Sequence, residues 1–132
     1  MGAWGHKAFE NDSALDWLGE LMRGDPSLVG EALDAVADSD DDEYLEVDEA
    51  SAALAAAELV AAALGKGDDR LSDDAASWLA EHRAAARDVG ARRARRAVQR
   101  VLESSELREL WDENGDDTEW HAEVRELLKR LA

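Results

Sequence analysis

Residues 50–64 read ASAALAAAELVAAAL, and this stretch decides the fold. Only Ser51 and Glu58 in it are polar. Ala and Leu are strong helix formers. Asp48 stands where an N-cap belongs, and Gly65 where a glycine just past a helix end belongs. A helix that is apolar all round has to be covered on several sides. It is too short to span a bilayer, and a mid-segment glutamate would be expensive there. The stretch therefore predicts an all-α fold, a helical bundle of about six helices around a central Ala-rich helix at Ala50–Leu64.

The rest of the composition agrees. A chain of 132 residues is the size of one domain, so a single helical domain over 1–132 is expected, with an N-terminal arm at 1–10. One proline and a heavy Ala, Leu, Glu and Arg content favour helix almost throughout. The absence of cysteine excludes disulfides and thiolate chemistry. The opening MGAWGHKAFEND has no apolar core of a signal peptide, and position 6 lacks the Ser or Thr of a myristoylation start. A cytoplasmic protein is the expectation.

Net charge is -17, unevenly spread. The first half is strongly acidic, whereas seven arginines and a single acid lie between Arg83 and Arg100. Such a balance disfavours nucleic acid and anionic membranes and favours a basic protein as partner. The arginines are expected to pair with acids of the first half, within the chain or across a homodimer. Monomer and homodimer both remain open.

Working outward from the central helix, Asn11, Asp12 or Ser13 can cap a first helix ending at Gly24. Its apolar face holds Ala14, Leu15, Leu18, Leu21 and Met22, with Trp17 beside them. Asp25-Pro26 reads as cap plus first-turn proline of a second helix carrying Leu28, Val29, Ala32, Leu33 and Val36. After the central helix, Ser72 opens a fourth with Ala75, Ala76, Trp78, Leu79 and His82 on one face. The pattern blurs at Val89-Gly90. A fifth helix buries Ala94, Val98, Val101 and Leu102, and Leu107, Leu110 and Trp111 follow it. Thr118 is expected to cap a last helix with Trp120, Val124, Leu127, Leu128 and Leu131 inside.

Candidate chemistry is sparse. Asp38 to Glu49 is densely acidic and places Asp38, Asp40, Asp42 and Glu49 at the first, third, fifth and twelfth positions of a calcium loop. Glu43 occupies the sixth position, where the sharp turn needs glycine, so a solvated loop is the plainer reading. The three histidines are scattered, and no phosphate-binding, dinucleotide-binding or hydrolase motif occurs, so no catalytic residue and no cofactor are assigned. Glu58 is the most informative single residue. A carboxylate buried in an apolar helix must be paired, hydrogen-bonded or protonated, and a tryptophan N–H, an arginine or the arm backbone can serve.

The opening segments Gly2-Ala3-Trp4-Gly5, Phe9-Glu10-Asn11-Asp12, and Ala14 with Asp16-Trp17 resemble the start of a bacterial family known as domain of unknown function 4259. The likeness continues at Tyr44-Leu45-Glu46, Ala55–Glu58, Ser105-Glu106-Leu107, Leu110-Trp111 and Trp120; it departs at His6-Lys7-Ala8. The resemblance implies a stand-alone bacterial protein and carries no activity. It suggests that the Trp4 arm, Asn11-Asp12 and Glu58 act together, with the arm laid across the central helix; Trp17 is a further binding or structural candidate. Three functional readings follow. The first is a non-catalytic interaction module for a basic partner, immunity- or antitoxin-like. The second is a small ligand-binding or enzymatic domain with a carboxylate site near Glu58. The third is calcium binding at Asp38–Glu49.

Overall fold

The computed structural model describes residues 12–38, 45–66, 71–103 and 117–131. Among them run six helices and no strand. They are α1 (Asp12–Arg23), α2 (Leu28–Ala37), α3 (Val47–Ala63), α4 (Asp73–Val89), α5 (Ala91–Glu103) and α6 (Asp117–Arg130). The fold is an all-α bundle. No described helix is long and apolar enough to cross a membrane.

Helix α3 is the hub. It packs against each of the other five helices. Thirteen of its side chains are buried, from Ala50 and Ser51 through the run Ala53 to Ala63. Most are alanines, which let neighbouring helices approach closely, while the larger side chains come from the neighbours. Leu18 and Leu21 of α1, Val29, Leu33 and Val36 of α2, Leu79 of α4, Val98 and Val101 of α5, and Leu127 and Leu131 at α6 join one apolar cluster with it.

The ends of α3 are set by local chemistry. It begins a turn before Ala50, at Val47, with Glu46 in the extended conformation before it. Asp48 is therefore not the cap: its carboxylate accepts a 2.6 Å bond from Ser13 Oγ and ties α1 to the start of α3. At the other end Gly65 turns left-handed, with φ +83°. Its N–H reaches Ala62 O at 2.9 Å, and the N–H of Lys66 reaches Ala61 O at 2.9 Å. These are the two bonds of a Schellman cap. Arg83 of α4 adds a cation there, donating to Ala62 O at 2.9 Å and Ala63 O at 3.3 Å, where the helix dipole is negative.

Other boundaries follow the sequence closely. Asp25 accepts from Ser27 N at 2.9 Å and so caps a first turn through Pro26, ahead of the regular helix at Leu28. That bond holds the Asp25 carboxyl below its ordinary value, so its contribution to stability is present at neutral pH and is lost as pH falls below about 3.8. Ser72 caps α4, accepting from Ala75 N at 3.3 Å. Helix α4 kinks at His82, whose ring lies 4.9 Å from that of Trp78. Gly90 stops α4 with φ +91° and ψ 145°, a backbone state open essentially to glycine alone.

Three expected inward residues are displaced. Leu15 and Met22 of α1 are exposed, because the buried stripe runs through Ala14, Trp17, Leu18 and Leu21. On a 100° wheel Leu15 and Met22 share the flank of that stripe. Ala76 of α4 is likewise exposed. Trp4, Tyr44, Trp111 and the side chain of Trp120 lie outside the described residues.

Two substitutions test this packing by urea denaturation. Ala57 is fully buried on α3, so Ala57→Leu is expected to destabilise by about 1–3 kcal/mol through overpacking. Gly90→Ala is expected to cost about 1–3 kcal/mol although nothing lies near the added carbon, because the backbone there excludes a side chain.

Candidate functional site

A groove of about 440 Å³ lies where α1, α2 and the first turns of α3 meet. Helix α1 contributes Ser13, Asp16, Trp17 and Glu20, and α2 contributes Leu28, Glu31, Ala32 and Ala35. Each set follows the spacing 0, 3, 4, 7, so each is one helical face. Asp48, Glu49 and Ala52 of α3 complete the lining.

Its chemistry is one-sided. Asp16, Glu20, Glu31, Asp48 and Glu49 are all exposed, and no Lys or Arg among the described residues lines the groove. Trp17 is buried, and Leu28, Ala32 and Ala52 are half-buried. The result is an apolar floor with a carboxylate rim. Asp16 and Glu20 stand one turn apart on α1, where like charges destabilise an isolated helix by about 0.2–0.5 kcal/mol. Ser27 Oγ donates to Glu31 at 3.2 Å, and Ser13 holds Asp48.

Glu58 lies elsewhere, sealed between α3 and α6. Arg130 grips it with two parallel bonds, Nη1 to Oε2 at 2.9 Å and Nη2 to Oε1 at 2.8 Å. The Arg130 and Glu58 side chains are only 11% and 6% exposed. The carboxylate raises the Arg130 guanidinium above its ordinary value, hydrogen bonding outweighing the cost of burial. Nη1 also reaches Lys66 O at 3.4 Å, and Glu126 sits 3.7 Å from Nε. The Arg130 guanidinium therefore remains charged at neutral pH. The pair fastens α6 to the middle and the far end of the central helix.

Two arginines of α5, Arg93 and Arg96, meet acids of the first half. Arg93 binds Asp34 through Nη2 at 2.6 Å and Nε at 3.2 Å. Its guanidinium passes over Gly30, where a side-chain carbon would sit 2.7 Å away. Arg96 faces Asp38 at 3.8 Å. Arg95 instead donates to Leu131 O at 3.3 Å, at the end of α6.

Of the candidates singled out from the sequence, Trp17 lies in the groove and Glu58 does not. Asp12 is exposed at the first position of α1. Trp4 and Asn11 lie outside the described residues, as does the arm. For the calcium loop, Asp38 ends α2 beside Arg96 and Glu49 stands in the first turn of α3, while Asp40 and Asp42 lie outside the described residues. Among the described residues no group of three or more His, Asp or Glu side chains is placed to hold a metal ion.

The sequence matches the family described as Domain of unknown function (DUF4259) over residues 2–123. The chain belongs to that family. No curated protein and no solved structure matches it. In this DUF4259 chain, two features escaped sequence reasoning. Arg130 sits late in the last helix, where a cation suits the dipole, and only the fold turns it toward a glutamate 72 positions away. The groove was visible only as acids interleaved with Trp17, Leu28 and Ala32 at helical spacing on separate segments.

Breaking the buried pair by removing one partner leaves an uncompensated charge. Glu58→Gln is expected to lower the unfolding free energy by about 3 kcal/mol, read from the urea midpoint. Glu58→Leu combined with Arg130→Met should cost clearly less than the two single changes summed, since no lone charge then remains buried.

Proposed function

We propose that this protein is a non-catalytic interaction module that binds a basic partner protein through the acidic groove of α1, α2 and α3. An immunity- or antitoxin-like role fits that chemistry. One observation carries the reading: five carboxylates surround an apolar floor, and no basic side chain among the described residues lines the groove. Elsewhere Asp34 and Glu58 are joined to arginines, so their fields are largely spent internally. At the groove the negative potential faces outward, where it steers a cationic surface and raises the rate of encounter. The apolar floor supplies what charge alone does not, a place for an anchoring side chain.

The other two readings have less support. Both oxygens of Glu58 are engaged by Arg130, and neither the groove of α1, α2 and α3 nor the smaller one beside Arg93 includes Glu58. For calcium, Asp38 already faces a guanidinium. Arg93, Arg96 and Arg95 of α5 are drawn toward Asp34, Asp38 and Leu131, and a net charge of -17 opposes nucleic acid.

The test is affinity capture from the native host at low salt, comparing the wild-type chain with a triple variant, Asp16→Asn, Glu20→Gln and Glu31→Gln. A basic protein that elutes from the wild type with rising salt and associates about tenfold or more slowly with the variant is the expected result. Equal, salt-insensitive retention by both chains would overturn the reading.

A further inference from the structure

We infer that the element seated in the groove is about two turns of a basic amphipathic helix. The inference rests on the interaction reading above and adds the shape of what is recognised.

The walls set the length. Ser13 to Glu20 and Leu28 to Ala35 each span seven residue steps, and at 1.5 Å per step each wall is about 10 Å long. A partner helix of two turns matches that length and presents apolar residues at i, i+3, i+4 and i+7. Beside Trp17 and Leu28 the lining is small: Ala32, Ala35 and Ala52 leave a furrow into which the ridge of another helix can settle.

The backbone of the site argues against an extended peptide. Such a peptide gains its affinity from main-chain bonds to an open sheet edge. Here the walls are α-helices rather than a sheet edge, and past their first turns their N–H and C=O groups are bonded along the helix. An incoming segment must therefore satisfy its own backbone, which a helix does.

The charges set the composition. Asp16 and Glu20 stand on the α1 wall, and Glu31, Asp48 and Glu49 on the α2 and α3 side. An apolar stripe laid on the floor carries its flanking positions toward both sets of carboxylates. Lys or Arg at those positions are matched, and acids there are repelled.

The experiment uses the whole protein at low salt with three probes. One is a Leu/Lys peptide with leucines at i, i+3, i+4 and i+7 over four turns. The second is its isomer of identical composition with leucines spread around the helix, and the third is spermine. Binding is followed by calorimetry and by amide shifts of residues 13–20 and 28–35. The expected result is that the amphipathic peptide binds about tenfold or more tightly than its isomer and shifts those amides. Ala35→Arg, an exposed change on the floor side, should weaken it to the level of the isomer. Equal binding of both peptides at the groove would overturn the helix inference while leaving an acidic docking surface in place. Tighter binding of spermine than of either peptide would overturn it in favour of a small oligoamine. No shift at the groove with any probe would overturn both the inference and the reading on which it rests.

Discussion

The structure depends on covering α3. Its residues are so uniformly apolar that no face can be left to water, and five helices meet that demand. Burial of apolar surface is the main favourable term in folding, and here it is organised around one segment rather than between matched stripes. Alanine gives each contact little area of its own. The helix therefore relies on leucines, valines and two tryptophans brought from its neighbours, and on end chemistry that fixes its length. The Schellman turn at Gly65 and the Arg83 guanidinium both act at that carboxyl end.

Within this apolar hub the Glu58–Arg130 pair is an exception. Two ions taken out of water recover their hydration energy only if the geometry is good. Two parallel bonds of 2.8 and 2.9 Å meet that condition. Such a pair adds little net stability over an apolar replacement, but it admits only one seating of α6, because any slip strands a charge. Specification of the α6 register is the role consistent with its position.

Charge is divided by function across the surface. Three arginines of α5 are held by the molecule's own partners: Arg93 by Asp34, Arg96 by Asp38 and Arg95 by the carbonyl of Leu131. The carboxylates of α1, α2 and the start of α3 instead surround a groove that no cation among the described residues lines. A net charge of -17 does not reveal which acids fall into which group. That sorting is a tertiary property, since it depends on where α5 crosses α2.

The sequence by itself determined the helices, their order and the identity of the central one, because propensity, periodicity and capping are local and act over a few residues. The stops at Gly24 and Gly65 and the cap at Ser72 were legible for the same reason, whereas at Gly90 the pattern only blurred. Even the need for a partner at Glu58 followed from the cost of a buried charge. Tertiary structure alone decided who that partner is, that Leu15 and Met22 stay outside, and that Asp48 serves Ser13 rather than its own helix end. It also decided that the acids of three segments meet around Trp17 and a row of alanines. These outcomes turn on how helices distant in sequence rotate and cross, and no local rule fixes a crossing.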